Sequence, residues 1–336
     1  MKKYFVLTLL SLLLFACKGN KDKIDTCKID LNIEIVRLDK YLFNISPDTI
    51  AIEQALPALR QKYGNFFELY NQRLINSGNS NNEEYPENLL EFLTAEVVQI
   101  AKLEADSVFT DDAVNKLNGK LTEVFKRFKY YFPDKPVPRI YGYISGFGES
   151  MSLADSLIGL SFDKYLGYNE EIYDVLSFPR YLSRKMYKEK IPSDAIRAWG
   201  IGEYPYTDDI GNNVISKIVY EGKLLYFTKK MCPNDADTTI FGFTEYELEW
   251  CKRNEKNMWS LLIEEKLLYS TDYMSIVKLT EEAPYTHLFP PESPGRASNW
   301  IGYRIVERYM KRNEDITLKQ LMEDKNHQQI FEKAKY

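Results

Sequence analysis

Between residues 133 and 167 the chain departs from the spacing that governs the rest of it. In PDKPVPRIYGYISGFGESMSLADSLIGLSFDKYLG the prolines remove backbone donors and end the preceding helix. PRIYGYIS and SLIGLSFDKYL then read as two strands joined by a longer connection that contains glycine. On both sides apolar residues return every three or four positions, the spacing of amphipathic helices. Upstream this holds through NLLEFLTAEVVQIAKLEADSVF and DDAVNKLNGKLTEVFKRFKYYF; downstream it holds through IPSDAIRAWGIGEY, NVISKIVYEGKLLYFTKKM and NWIGYRIVERYMKRN. A chain so arranged cannot build a large sheet. It predicts a predominantly helical α+β fold, with a helical layer over 46–132, a small central sheet over 136–166 and a helical region over 170–336. Nearer the start, residues 28–45 begin as a strand and pass into a short helix. Ser46 and Pro47 then read as the cap and first position of the next helix.

The first sixteen residues, MKKYFVLTLLSLLLFA, place two lysines before a leucine-rich run and end on a small residue ahead of Cys17, the layout of a secretion signal. Leu14-Phe15-Ala16-Cys17 matches the site that bacterial lipoprotein peptidases cleave, although Phe15 is bulkier than usual. Cys17 is therefore expected to carry the lipid anchor. Residues 17–28 form a polar tether, and 29–336 form a single globular domain. Residues 1–16 hold two of the 44 basic residues and none of the 49 acidic ones, so the mature chain carries about seven net negative charges. Such a chain is repelled by nucleic acid and by anionic headgroups, so membrane attachment falls to the acyl chains. The tether has no acidic run of the kind that marks surface export, which favours a periplasm-facing position in the cell envelope.

Three cysteines remain beyond Cys17. Outside the cytoplasm Cys232 and Cys251 are available for a disulfide, leaving Cys27 in the tether. No C-x-x-C, G-x-x-x-x-G-K-[ST] or G-x-G-x-x-G occurs, so no redox, zinc-ribbon or nucleotide site is indicated, and no cofactor is expected. Ser145, in YISGFG, lacks the G-x-S-x-G spacing of a hydrolase nucleophile. The 25 tyrosines invite a glycan-binding reading, which requires an exposed row of coplanar aromatics along one groove.

KIVYEGKLLYF, residues 217–227, places Glu221 and Gly222 on a strongly apolar helix of the sort that supplies the glutamate ligand in many zinc peptidases. Such enzymes also need two histidines one helical turn apart. The only histidines are His287 and His327, both downstream of Glu221. DAIRAWGIGEYPYTDD, where the histidine pair would sit, offers Glu203, Asp208 and Asp209 instead. No metal site is expected, and Glu221 is read as a rim glutamate that pairs with Lys217 or Lys223 or caps a backbone group. In the run from Glu282, prolines and Gly295 shape a loop, and Ser298 or Asn299 caps the helix that follows. Arg296 just ahead of that helix can hold an anion, a partner group or an internal carboxylate, with His287 packed in the loop.

Several ordered blocks carry a family likeness. EIVRLDKYLFN, FKRFKYYFPDKPVPRIYGYISGF, LIGLSFDKYLG, the stretch from VYEGKLLYF to RNEKNMW, and APYTHLFPPESPGRASNWIGYRIVERYM resemble the gliding motility lipoprotein GldB family of Bacteroidetes. The resemblance implies a membrane-anchored, non-enzymatic scaffold that binds other envelope proteins in gliding or a related process. The family is also distantly similar to zinc-dependent peptidases with H-E-x-x-H followed by a glutamate in E-G. Glu221-Gly222 matches the second element and nothing matches the first, which implies a degenerate zincin-like domain. The rival reading, a diverged envelope peptidase or hydrolase, requires Glu203, Glu221 and His287 to converge in one cleft.

Overall fold

Three short apolar runs pair to make the centre of the molecule, of which the computed structural model describes residues 24–207 and 211–336. β1 (Ile35–Arg37) runs straight into a one-turn helix, α1 (Leu38–Leu42), as the start of the chain predicts. β1 pairs parallel with β2 (Arg139–Tyr143), and β2 pairs parallel with β4 (Leu157–Ser161). The glycine-containing connection holds one more strand than the sequence suggested, β3 (Met151–Ala154), antiparallel to β4. The strand order β1-β2-β4-β3 follows, because two parallel neighbours cannot be joined by a tight turn. The chain leaves β2, forms the outer strand and returns between the two.

Parallel strands need cover on both faces, and side-chain alternation supplies a separate core for each. Ile35, Ile140, Ile158 and Leu160 face the larger core. Tyr141, Tyr143 and Leu157 face a second core with Phe66, Phe67 and Tyr70. The second face is crowded enough that a methyl group at Gly159 would lie 2.9 Å from Phe66 and 3.0 Å from the Tyr143 ring.

The layer over the second core comes from α2 (Thr49–Tyr63), α3 (Asn65–Leu69) and α4 (Tyr85–Thr94). Asp48, not Ser46, caps α2, its Oδ1 accepting from the Ala51 amide at 2.8 Å. Pro47 accordingly precedes the helix instead of opening it. α5 (Glu96–Val108) and α6 (Asp111–Tyr131) turn toward the larger core, which α6 enters with Val114, Leu117, Leu121, Val124, Phe125 and Phe128.

After the sheet come two short helices, α7 (Glu171–Val175) and α8 (Arg180–Ser183), and then α9 (Ile191–Glu203) and α10 (Val214–Met231). α10 is buried on almost every side, as a helix apolar all round must be. Against it pack α9, α13 (Tyr273–Thr280), α14 (Ser298–Arg312), α15 (Leu318–Glu323) and α16 (His327–Ala334). α11 (Asp237–Phe241) and α12 (Glu245–Glu264) close the outside; α12 opens with a complete capping box between Thr244 and Glu247.

Cys232 and Cys251 do not form the disulfide that the sequence left available. Both are buried free thiols, one at the end of α10 and the other in α12, and burial raises both thiol pKa values well above the usual range. No described helix is long and apolar enough to cross a membrane. Residues 1–23, with the signal and Cys17, lie outside the described residues.

Candidate functional site

One face of α9 lines a cleft of about 490 Å³. Asp194, Arg197, Ala198 and Ile201 recur at helical spacing and face it, while Ile191, Ala195, Ile196 and Trp199 go to the core. The opposite walls are Met151 of β3, Lys164 after β4, Leu182 and Lys185 around α8, and Glu282 and Arg296 of the loop before α14. A second cleft of about 500 Å³ adjoins it, sharing Arg197, Ile201, Glu282 and Arg296; Lys217, Tyr220 and Glu221 of α10 reach this one.

Where the two clefts meet, charges are bound in pairs. The Arg197 guanidinium stands 2.5 Å from Glu221, whose other oxygen lies 3.2 Å from Lys217. The carboxylate is thus held by two cations, one a helical turn away and one from α9. Lys217 is a partner the sequence predicts; Arg197 is one that only the packing of α9 on α10 supplies. Lys223, the other expected partner, instead donates to the Met322 and Asp324 carbonyls at 3.2 and 2.6 Å, satisfying the end of α15. Gly222 faces α14.

Arg296 holds an internal carboxylate: its Nε is 3.1 Å from Glu282, and Nη2 donates to the Phe241 carbonyl at 3.0 Å. Its backbone is left-handed, with φ of 51°, a conformation a non-glycine residue keeps only when its surroundings enforce it. Lys185 bonds the same Glu282 at 2.5 Å. Burial and the Arg296 charge bring the Lys185 ammonium down to about 8. Burial works to raise the Glu282 pKa, but Arg296 and Lys185 together hold it below the usual carboxylate value.

Ser298 and Asn299 do not cap α14. Ser298 Oγ donates to the Leu279 carbonyl and Asn299 Nδ2 to that of Thr280 at 3.2 Å, tying α14 to α13. Ahead of them the buried Thr286 hydroxyl donates to the Pro294 carbonyl at 2.7 Å and accepts from the Ala297 amide at 2.8 Å.

Glu203, Glu221 and His287 do not converge. Glu203 pairs with Lys135 at 2.9 Å, and His287 is exposed beside the Tyr285 ring. Asp208 and Asp209 lie outside the described residues. His327, which the sequence places in a polar terminal helix, is buried against Tyr206 and Tyr220, and burial together with the Lys223 charge lowers its pKa to about 3. Ser145 is likewise structural. Its Oγ and amide donate to the fully buried Asp163, and its Oγ accepts from the Gly148 amide at 2.9 Å. The exposed tyrosines 130, 168, 246, 269 and 273 sit on different elements. Among the described residues no three His, Cys, Asp or Glu side chains are grouped to hold a metal ion.

Fold and cleft together define a mostly helical α+β protein whose central glutamate is neutralised by basic side chains of its own chain. The family model for gliding motility protein GldB matches residues 19–336, and the chain belongs to that family. No curated protein and no solved structure matches it.

Proposed function

We propose that the chain is a periplasm-facing lipoprotein, anchored through an acylated Cys17, that serves without catalysis as a scaffold for other envelope proteins in gliding or a related envelope process. Its domain is a degenerate zincin-like framework, in which α9 occupies the place of the histidine-bearing helix and α10 that of the helix with the glutamate ligand. Membership of the GldB family supports the link to motility and the envelope. The arrangement of Glu221 is the observation that carries the reading of a framework without a catalytic metal. A glutamate that serves a metal must have a carboxylate oxygen available to it, and here one oxygen is given to Arg197 and the other to Lys217. The positive charge beside Glu221 is therefore covalently part of the chain, Arg197 on the very helix that would have supplied the histidines and Lys217 on the glutamate's own.

Metal analysis of the purified protein, repeated after incubation with zinc and desalting, tests the framework reading. Less than a tenth of an equivalent is expected for both the natural chain and Glu221→Gln. Stoichiometric zinc that Glu221→Gln abolishes would overturn it. Crosslinking in intact cells tests the scaffold: envelope proteins captured by the natural chain should still be captured by Glu221→Gln and be lost when Cys17→Ala removes the anchor. Capture that depends on Glu221 and not on Cys17 would count against a tethered adaptor.

A further inference from the structure

The cleft between α9 and the loop that carries Arg296 holds more positive charge than its own carboxylates neutralise. Five cationic side chains line it, Lys164, Lys185, Lys190, Arg197 and Arg296, against three carboxylates, Glu149, Asp194 and Glu282. Lys190 takes Asp194, Arg197 takes Glu221 from the neighbouring cleft, and Glu149 is on the exposed rim. Glu282 is left to serve both Lys185 and Arg296. Lys164 is held more loosely: its ammonium reaches the Phe147 carbonyl at 3.4 Å and the face of Phe178 at 4.0 Å, and Asp163 and Glu149 attract it too weakly to offset the effect of burial.

These cations are buried as well as numerous. Lys164 and Lys190 are 6 and 7 % exposed, and the side chains of Lys185 and Arg296 are 15 and 14 % exposed. Withdrawing a charge from water without a full counter-charge is costly, and the cost shows in two ammonium groups. Burial lowers Lys164 below the usual lysine range and, with Arg296, takes Lys185 to about 8. Donors also remain unused: Nε of Arg197 and Nε of Arg296 are buried and make no hydrogen bond, the latter lying near Glu282 but out of line with it. The site is built at a backbone cost, since Arg296 is left-handed and any side chain at Gly295 would run into the backbone of Ala283. Side chains that only stabilised the loop would not need to converge from four separate elements on a cleft of about 490 Å³.

We propose that this cleft binds the phosphate group of an organic phosphate ester, with Lys185 and Arg296 as its principal contacts and Lys164 as a third. A phosphate carries up to two negative charges at neutral pH and three acceptor oxygens directed apart, which suits donors arriving from different elements. A carboxylate is planar and is satisfied by one edge of a single guanidinium. Met151, Leu182, Met186, Ala198, Ile201 and Ile240 form the remaining wall, so the body of the ester meets apolar surface. Such a group reaches a periplasmic protein either on a soluble ester or on a lipid headgroup.

Calorimetric titration of the purified full-length chain at pH 7 with inorganic phosphate, glycerol 3-phosphate and succinate, together with sedimentation with phosphatidic acid or phosphatidylcholine vesicles, tests the assignment. A phosphate-bearing probe is expected to bind, and Lys185→Gln and Arg296→Gln each to weaken it at least tenfold. Lys116→Gln, an exposed change on α6, should leave binding unaltered. Binding of glycerol 3-phosphate in solution identifies a soluble ester; sedimentation with phosphatidic acid but not phosphatidylcholine identifies a lipid headgroup. Should Arg296→Gln fail to fold, Lys185→Gln decides alone. The assignment is overturned if no phosphate-bearing probe binds, if succinate binds as tightly, or if Lys185→Gln folds and binds as the natural chain does.

Discussion

Gly222 of α10 and Gly302 of α14 lie backbone against backbone where the two helices cross. A methyl group built on Gly222 would overlap the Gly302 carbonyl and stand 2.7 Å from the Tyr303 amide nitrogen; one built on Gly302 would overlap the Ile218 carbonyl. Neither glycine has a positive φ, so proximity, not backbone conformation, demands them. The Glu-Gly pair of KIVYEGKLLYF therefore has two separate tasks. Glu221 settles the charges of α9, and Gly222 lets α14 approach.

Alanine at either position forces the helices apart, because the obstacle is backbone and cannot rotate away. Gly302→Ala is expected to lower stability by about 3 kcal/mol, the upper end for overpacking, even after the gain in helix propensity. Gly119→Ala, on the exposed side of α6 with open space around it, should raise stability by up to about 1 kcal/mol. Urea denaturation of both variants checks the pair. Equal effects would show that the crossing is looser than described.

The pairing of Arg197 with Glu221 is best read in a double-mutant cycle. Glu221→Gln leaves the half-buried Arg197 without its anion and Lys217 with Glu281 alone at 3.6 Å, and is expected to cost about 3 kcal/mol. Arg197→Met leaves Glu221 with Lys217 alone and should cost less, near 2 kcal/mol. The double variant should fall short of the sum by 1 kcal/mol or more, a gap of order 1 kcal/mol being usual for residues in contact. Additive losses would mean that the two groups do not act on one another.

Acid should unfold the protein earlier than its carboxylates require. His327 has a folded pKa near 3 and an unfolded one near 6.5. Between those values the unfolded chain holds a proton that the folded chain refuses, so stability falls as pH falls, by up to about 1.4 kcal/mol per pH unit. His327→Gln should flatten stability between pH 6.5 and 5, above the range where carboxylates titrate. Parallel profiles for the two proteins would reject the assignment.

Asp163 is a fully buried carboxylate that accepts from the Ser145 and Phe147 amides and from the Ser145 and Ser161 hydroxyls. These bonds hold a turn in which Gly146 and Phe147 both have positive φ. Asp163→Asn turns one acceptor oxygen into a donor facing other donors. A loss of about 3 kcal/mol is expected, against about 1 kcal/mol for Ser145→Ala. Thermal melts of the two variants check the order.

Much of the fold was legible because its signals are local. The periodicity of α5, α6, α9, α10 and α14, the break at the prolines, and the passage from β1 into α1 all lie within a few turns of chain. β3 was missed because MSLA is short and its pairing with β4 depends on a hairpin closing. Ser46, Ser298 and Asn299 misled for a related reason. For Ser298 and Asn299, a side chain suited to capping is equally suited to tying down a neighbouring helix; for Ser46, Asp48 two positions on offers an equally good cap, and only the folded backbone chooses. In the candidate site Glu221, Lys217 and Arg296 were recognised. Arg197, Lys185 and Glu282 were not, although Asp194, Arg197 and Ile201 recurring on one face of α9 was a visible sign of a polar stripe on a buried helix.

From the order of residues alone came the mostly helical α+β class, the short sheet between two helical stretches and the lack of a histidine pair near Glu221, since each depends on composition or on neighbours within a few positions. Tertiary structure decided which charges meet. Arg197 reaches Glu221 across 24 positions and Arg296 reaches Glu282 across a proline loop, because helix packing and a left-handed residue bring them within bonding distance. Coulombic pairing acts through space over a few ångströms; helical spacing encodes a pair such as Lys217 with Glu221, but not a pair whose members lie on different elements.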